Sequence, residues 1–324
     1  MQKLIVDLEK LDKQIASASS AAELARLHST RGDLAEKIIQ ATATADDRAI
    51  WIRQHAETLA AGVQSGAYPD GSKRLQRLLV AVQKLSDAGD LVPYVQFRQM
   101  EADYNVATQA KDADFEKLND EWMASLEQFV KDYPTSPDAA EAMLRLAILL
   151  DYPGKEDESA IWFKRIAKEF PESELAHKAT GAVRRLESVG KSIPLKSKTL
   201  DGRTFDLTAA KDRVVLIHYW ATWAEPCVQD LDAIKSLQAK YGKDGFYPVG
   251  VNLDGEAKDA SAMVRSKSIA WPQLYETGGL DSRLATEMGV LTLPLMILVG
   301  KDGKVISRNI HAGELDGELK KLLR

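Results

Sequence analysis

Residues 218–227 read His-Tyr-Trp-Ala-Thr-Trp-Ala-Glu-Pro-Cys, and the reading of this stretch decides the fold of the second half of the chain. The residues leading into it, Val214 to Tyr219, are β-forming and apolar except for His218, the pattern of a central strand covered on both faces. The residues that follow, 225–240, carry Leu231, Ile234 and Leu237 at helical spacing. The stretch is therefore a strand-to-helix junction. In an α/β sheet, ligands and reacting groups gather at the carboxyl ends of the strands. The chain's one cysteine, Cys227, stands at this junction. A single cysteine rules out an internal disulfide and every multi-cysteine metal site, so any thiol chemistry rests on this one group.

Working outward, TLDGRTFDL at 199–207 predicts a hairpin turning at Asp201-Gly202. Phe246 to Val251 predicts another strand, and 256–267 and 281–288 predict helices. Leu295 to Val299 and Val305 to Ile310 predict an antiparallel pair around the turn Lys301-Asp302-Gly303-Lys304. A last helix runs from about Glu314 to Leu323. Strands alternating with helices, then a hairpin and a closing helix, imply a mixed sheet covered on both faces.

Four ordered motifs carry a resemblance over residues 194–324. They are Trp220-Ala221-Thr222-Trp223, Gly250-Val251-Asn252, the run Gly289-Val290-Leu291-Thr292-Leu293-Pro294, and Lys301-Asp302-Gly303-Lys304. Together they resemble the thioredoxin-like domain of bacterial thiol-disulfide oxidoreductases of the redoxin type, which are periplasmic or membrane-anchored. The resemblance implies an α/β thioredoxin-like fold with a mixed central sheet. It implies that Trp220 packs under the site and that Trp223, Glu225, Pro226, Leu293 and Pro294 line a substrate groove. It also implies a cis bond at Pro294 that presents backbone polar groups to an extended peptide.

The family pattern at the junction is C-x-x-C, whereas this chain has Ala224-Glu225-Pro226-Cys227. Ala224 occupies the position of the exposed, attacking cysteine, and Cys227 that of the shielded second one. Dithiol exchange needs one thiolate to form a mixed disulfide and a second thiol to resolve it. A helix N-terminus activates the first thiol through its unpaired N–H groups and dipole, but Ala224 offers no thiol to activate. Cys227 reads first as a small buried residue, Glu225 as an acid at a helix start, and His218 as a core or supporting histidine. Two origins stay open: natural loss of the thiol, or replacement of a cysteine by alanine.

The first 190 residues read as almost wholly helical. Leu4, Leu8, Leu11 and Ile15 form one apolar stripe, and Leu24, Leu27, Leu34 and Ile38 begin another, with a break at SASSAA between them. Residues 46–62 predict a third helix and GAYPDGS at 66–72 a turn. Leu75, Leu78, Leu79 and Val82 make a further stripe, and 91–130 reads as helical. A repeat then appears. Tyr133-Pro134, Ser136, Ala139 and Ala142 recur 37 residues later as Phe170-Pro171, Ser173, Ala176 and Ala179. This resembles tetratricopeptide-like helical pairs, in which small residues let neighbouring helices approach. Its expected role is a helical platform or a concave surface for a protein partner. The expected organisation is a helical region at 1–130, tetratricopeptide-like helices at 131–190, a lysine-bearing linker at 191–198 and the thioredoxin-like domain at 199–324.

Lys and Arg number 43 against 48 Asp and Glu, a net charge of −5 that argues against nucleic acid as the main partner. No apolar run approaches membrane-spanning length. The start, MQKLIVDLEKLDKQIA, lacks the apolar core of a signal peptide. Either the protein is cytoplasmic or a leader has been removed, and the resemblance implies exposure to the periplasm or cell envelope. The histidines are widely spaced with no HExxH, and there is neither G-x-G-x-x-G nor a Walker sequence, so no metal or cofactor is expected. Three functions stand. One is a thiol-disulfide oxidoreductase scaffold, silenced at Ala224, for a thiol- or disulfide-containing protein or peptide. The second is a non-catalytic envelope protein-binding module. The third is a one-cysteine peroxidase using Cys227. Related redoxins have P-x-x-x-T-x-x-C for that role, but here Ala224 replaces the threonine and Thr222 lies two residues too early.

Overall fold

The computed structural model describes residues 1–152 and 154–323 and divides into two compact units, Met1–Leu146 and Ala147–Arg324. The first unit is helical: α1 (Gln2–Ser17), α2 (Ala21–Ala41), α3 (Ala45–Gln64), α4 (Gly71–Val82), α5 (Leu91–Thr108), α6 (Phe115–Asp132) and most of α7 (Pro137–Leu149). Local sequence sets several starts, because the side chains of Ser20, Thr44 and Asp114 each accept the backbone N–H three residues on. The apolar stripes turn inward, burying Leu27, Ile38, Ile52, Leu75, Val82 and Val95. Arg74 is buried among them and donates to Glu36 and Tyr68 at 2.9 Å and to Asp33, which neutralises its charge.

The 37-residue sequence repeat is also a repeat of local geometry. Tyr133 and Phe170 end α6 and α8 (Glu156–Glu169) with nearly the same backbone, φ/ψ −131°/56° and −129°/53°. The N–H of Ser136 donates to the Tyr133 carbonyl and that of Ser173 to the Phe170 carbonyl. Each serine hydroxyl then accepts the N–H two residues on, at 3.3 Å from Asp138 and 3.2 Å from Leu175. The repeated alanines are buried.

In the second unit α8 packs on α9 (Glu174–Leu186), and the chain continues through β1 (Lys196–Lys198), β2 (Thr204–Asp206) and β3 (Val214–Trp220). After these come α10 (Glu225–Tyr241), β4 (Phe246–Asn252), α11 (Ala257–Ser266), β5 (Gln273–Tyr275), α12 (Arg283–Thr286), β6 (Leu295–Val299), β7 (Val305–Ser307) and α13 (Ala312–Leu322). The main sheet runs β5-β4-β3-β6-β7, with β3 parallel to β4 and antiparallel to β6. This is the expected mixed-sheet thioredoxin-like fold following an all-α region. All seven residues of β3 are buried, so it separates two apolar layers. Val215, Ile217 and Tyr219 face one layer. Val214, Leu216 and Trp220 face the other, under Leu231 and Ile234 of α10 and Leu315 and Leu319 of α13.

The local differences from the sequence expectations have physical causes. The hairpin at 199–207 pairs β1 with β2 in the register Lys198↔Thr204, so its first strand lies before Thr199 and a longer loop replaces a two-residue Asp-Gly turn. The Thr199 N–H donates to the Arg203 carbonyl at 2.8 Å, and Gly202 takes the left-handed conformation (φ 83°) inside that loop. The helix expected at 281–288 is shorter, a 3-10 turn at Gly279–Asp281 and then α12. The strand expected at 305–310 stops at Ser307, next to an irregular register at Leu298/Val299. Residues 191–198, read as a linker, keep their lysines exposed but bury Ile193 and Leu195 in the core and contribute β1.

Candidate functional site

The junction at 218–227 is held by two polar clusters behind it. Trp220 is fully buried and its indole Nε1 donates to Gln273 Oε1 of β5 at 2.9 Å. Gln273 reaches it because β4 carries Gly250 alongside, where a Cβ would lie 1.9 Å from Gln273 Oε1. In the second cluster both the N–H and the hydroxyl of Thr222 donate to Asp254 Oδ1, at 2.9 and 2.8 Å. Asn252 Nδ2 donates to Asp254 Oδ2 at 2.7 Å, and the Asp254 N–H donates back to Asn252 Oδ1 at 3.0 Å. Asp254 is only 2% exposed, so these bonds form away from water and carry more weight than surface ones. They tie the chain leaving β3 to the end of β4.

The expected site residues fall around this fixed stem. Trp223 is 62% exposed and stands out from the sheet edge. Ala224 is the N-cap residue of α10, where it makes no side-chain cap, and is 8% exposed. Glu225 and Pro226 are exposed in the first turn, an acid and a proline where the helix dipole and the unneeded N–H suit them. Cys227 is fully buried, its N–H donating to the Ala224 carbonyl at 2.9 Å. Leu293 and Pro294 precede β6 with a cis peptide between them. Tyr219 pairs with Leu295, so this loop and the junction share one end of the sheet. Leu293 packs on the apolar layer that includes Ala224 and Cys227.

The electrostatics keep the thiol neutral. Burial pushes the Cys227 pKa up to about 11, and the negative charges of Asp230 and Asp254 add to that, while hydrogen bonds from the backbone at Ala221 and Cys227 oppose it. The native chain is therefore expected to react with Ellman's reagent at pH 8 at least about a hundredfold more slowly than the denatured chain. Stopped-flow measurement of 2-nitro-5-thiobenzoate release checks this, and equal rates in the two states would refute a shielded thiol.

His218 is a core residue, fully buried, with neither ring nitrogen hydrogen-bonded. Its nearest acid, Asp230 of α10, lies 3.9 Å from Nε2, beyond hydrogen-bond reach. Burial lowers the His218 pKa to about 3 and raises that of Asp230. The sequence reading missed Asp254 and Gln273. The Gly250-Val251-Asn252 motif pointed to their neighbourhood, but nothing in the spacing links Asp254 to Thr222. Among the described residues no group of three or more His, Cys, Asp or Glu side chains is arranged to hold a metal, and no helix is long and apolar enough to cross a membrane.

Comparison with known proteins places these observations among relatives. The family described as Redoxin matches residues 188–323. The thiol-disulfide oxidoreductase ResA of Bacillus thuringiensis subsp. konkukian (strain 97-27) is 29% identical over 119 residues, 36% of this chain and 67% of that protein. The thioredoxin-like protein YneN of Bacillus subtilis (strain 168) is 30% identical over 121 residues, 36% of this chain and 67% of that protein. A solved thiol-disulfide oxidoreductase from Bacteroides fragilis NCTC 9343 is 29% identical, covers 41% of this chain and 99% of its own, and superposes with a TM-score of 0.38.

Proposed function

From the premise that the chain belongs, through residues 188–323, to the redoxin family, we propose that it is a thioredoxin-like scaffold that has given up dithiol exchange and keeps the recognition groove. The observation that carries this reading is the pairing of Ala224 at the helix cap with a fully buried Cys227. No thiol stands where a substrate disulfide would arrive, and the remaining one is neutral and shielded. On this reading the groove is kept, which the exposure of Trp223, Glu225 and Pro226 and the packing of Leu293 on the layer that includes Ala224 support. Its ligand on this reading is an extended segment of a thiol- or disulfide-containing protein or peptide, held through its backbone and through contact with Trp223 and not through its sulfur, so that a chain with capped cysteines binds as well. A peroxidase using Cys227 is disfavoured, because a buried thiol with its pKa near 11 supplies little thiolate for attack on peroxide.

Two further elements complete the proposal. The matched helix connectors at 133–142 and 170–179 support tetratricopeptide-like pairs, which suit a protein partner. A place in the cell envelope follows from the family resemblance.

The test uses reduced, carboxymethylated α-lactalbumin, a permanently unfolded protein, as the probe. Saturable binding is expected, weakened at least about tenfold by Trp223→Ala, the loss of an exposed aromatic anchor, and unchanged by Cys227→Ala. In the same preparation, reduction of insulin by dithiothreitol should run no faster than with the reagent alone. Insulin turnover by the chain itself, or absence of saturable binding, would overturn the proposal.

A further inference from the structure

The helix pair before the redoxin domain touches its groove loop from behind. The segment Thr286 to Gly289 links α12 to the stretch ending at Leu293-Pro294. Along it, four successive residues, Thr286 to Gly289, meet α9 through their backbones. A Cβ on Gly181 of α9 would lie 1.9 Å from the Thr286 carbonyl oxygen and 2.6 Å from the Gly289 nitrogen. A Cβ on Gly289 would lie 2.0 Å from the Ala182 nitrogen, and Gly289 itself has φ 56°. Two glycines thus let helix and turn meet backbone to backbone, where no other residue pair fits without moving one of them.

Two arginines of α9 then fasten the turn. Arg184 donates to the Glu287 carbonyl at 2.6 Å, and Arg185 Nε donates to the Met288 carbonyl at 3.2 Å. Arg185 is 2% exposed and its guanidinium is held on the other side by both oxygens of Asp151, so its aim is fixed. From Met288, five residues lead to the cis peptide, and Val290 is itself tied back to the Ala285 carbonyl at 2.9 Å.

We propose that α9 is the positioning element of the recognition groove: Arg184 and Arg185, seated through Gly181 and Gly289, hold the turn that delivers Leu293 and Pro294. A plain structural packing of helix on sheet would bury side chains. Besides the side chains it buries, α9 donates to two carbonyls of one turn, which fixes that turn's orientation as well as its distance. Arg184 and Arg185 are thus positioning residues, acting on the ligand only through the loop.

This inference rests on the groove reading above, and its experiment separates the two. Hydrogen exchange of the full chain is followed by mass spectrometry in Arg184→Ala and Gly181→Leu. The second substitution raises helix propensity, so loss of docking cannot be laid to melting of α9. Exchange over 287–293 is expected to quicken about threefold in Arg184→Ala and at least about tenfold in Gly181→Leu, while β3 and β4 keep wild-type protection. Affinity for reduced, carboxymethylated α-lactalbumin should fall in the same order. Unchanged exchange over 287–293 in folded Gly181→Leu would overturn the inference, as would quickening spread evenly over the sheet. Faster loop exchange in variants of a chain that binds no probe would uphold the positioning role and overturn the groove reading alone. Where Gly181→Leu does not fold, Arg184→Ala decides, since Arg184 lies at the surface and its removal leaves the packing intact.

Discussion

Ala224→Cys is expected to turn this chain into a dithiol oxidoreductase, with insulin reduction by dithiothreitol accelerated by about two orders of magnitude or more. A thiol with pKa near 11, as at Cys227, is about one part in 10⁴ ionised at pH 7, whereas one near pKa 7 at a helix N-terminus is about half ionised. The lower-pKa thiolate is the weaker nucleophile, and a Brønsted slope of about 0.4–0.5 gives back about two decades. About a hundredfold remains before access is counted, and Ala224, at 8% exposed, is only slightly more open than the fully buried Cys227. Residues 224 and 227 span the first turn of α10, a separation within the range a disulfide bridges. The introduced thiol would attack the substrate disulfide and expel one substrate sulfur as thiolate. Cys227 would then resolve the mixed disulfide, releasing the second substrate thiol, and dithiothreitol would reduce the bridge left behind. Adding Cys227→Ala should abolish turnover and trap the mixed disulfide. An Ala224→Cys chain that folds and stays inert toward insulin would show that the groove is no longer that of an oxidoreductase.

His218→Leu is expected to flatten the acid limb of the stability profile. Burial depresses the folded pKa of His218 to about 3 from the usual 6.5. Below pH 6.5 the unfolded chain takes up a proton that the folded chain refuses, so stability falls as pH drops through that value and goes on falling towards pH 3. The slope from one such group approaches about 1.4 kcal/mol per pH unit. Asp230 works the other way, because burial raises its pKa and the folded state binds its proton first as pH falls. The difference between wild type and variant isolates the histidine. Urea unfolding from pH 7 to 4 should show wild-type stability dropping by about 2–3 kcal/mol more than that of His218→Leu. At pH 7 the variant should gain about 1 kcal/mol, because two unpartnered ring nitrogens leave the core. Parallel pH profiles for the two chains would mean that His218 is solvated.

What could be read from the sequence follows the range of the interactions. The run Val214–Tyr219 and the helix after Glu225 are encoded by neighbours a few residues apart, and each is legible in the sequence; the caps at Ser20 and Thr44 are as local but were not read from it. The place of Ala224 at a helix start was legible too, since it depends on one strand-to-helix step. Other features depend on partners far along the chain. Asp254 holds Thr222 across 32 residues, and Arg185 meets the Met288 carbonyl across 103. No local pattern distinguishes such an aspartate from a loop acid or such an arginine from a solvated one. The hairpin at 199–207 shows a different limit. Asp201-Gly202 is a strong turn signal, yet pairing of Ser197 with Phe205 buries the phenylalanine, and the core's demand for that ring set the register. The short strand β5 has three residues and too little alternation to announce itself.

The carboxylate of Asp254 has a consequence for the thermodynamics of recognition. It accepts both donors of Thr222, so the residue just before Trp223 is immobilised whether or not anything is bound. An indole has two side-chain torsions, and its backbone stem here has little freedom left to surrender. Most of the ordering entropy on this side of a complex is therefore spent during folding. Contact with the exposed ring would be converted into affinity with little loss to ordering, and the conformational cost of association would fall on the partner.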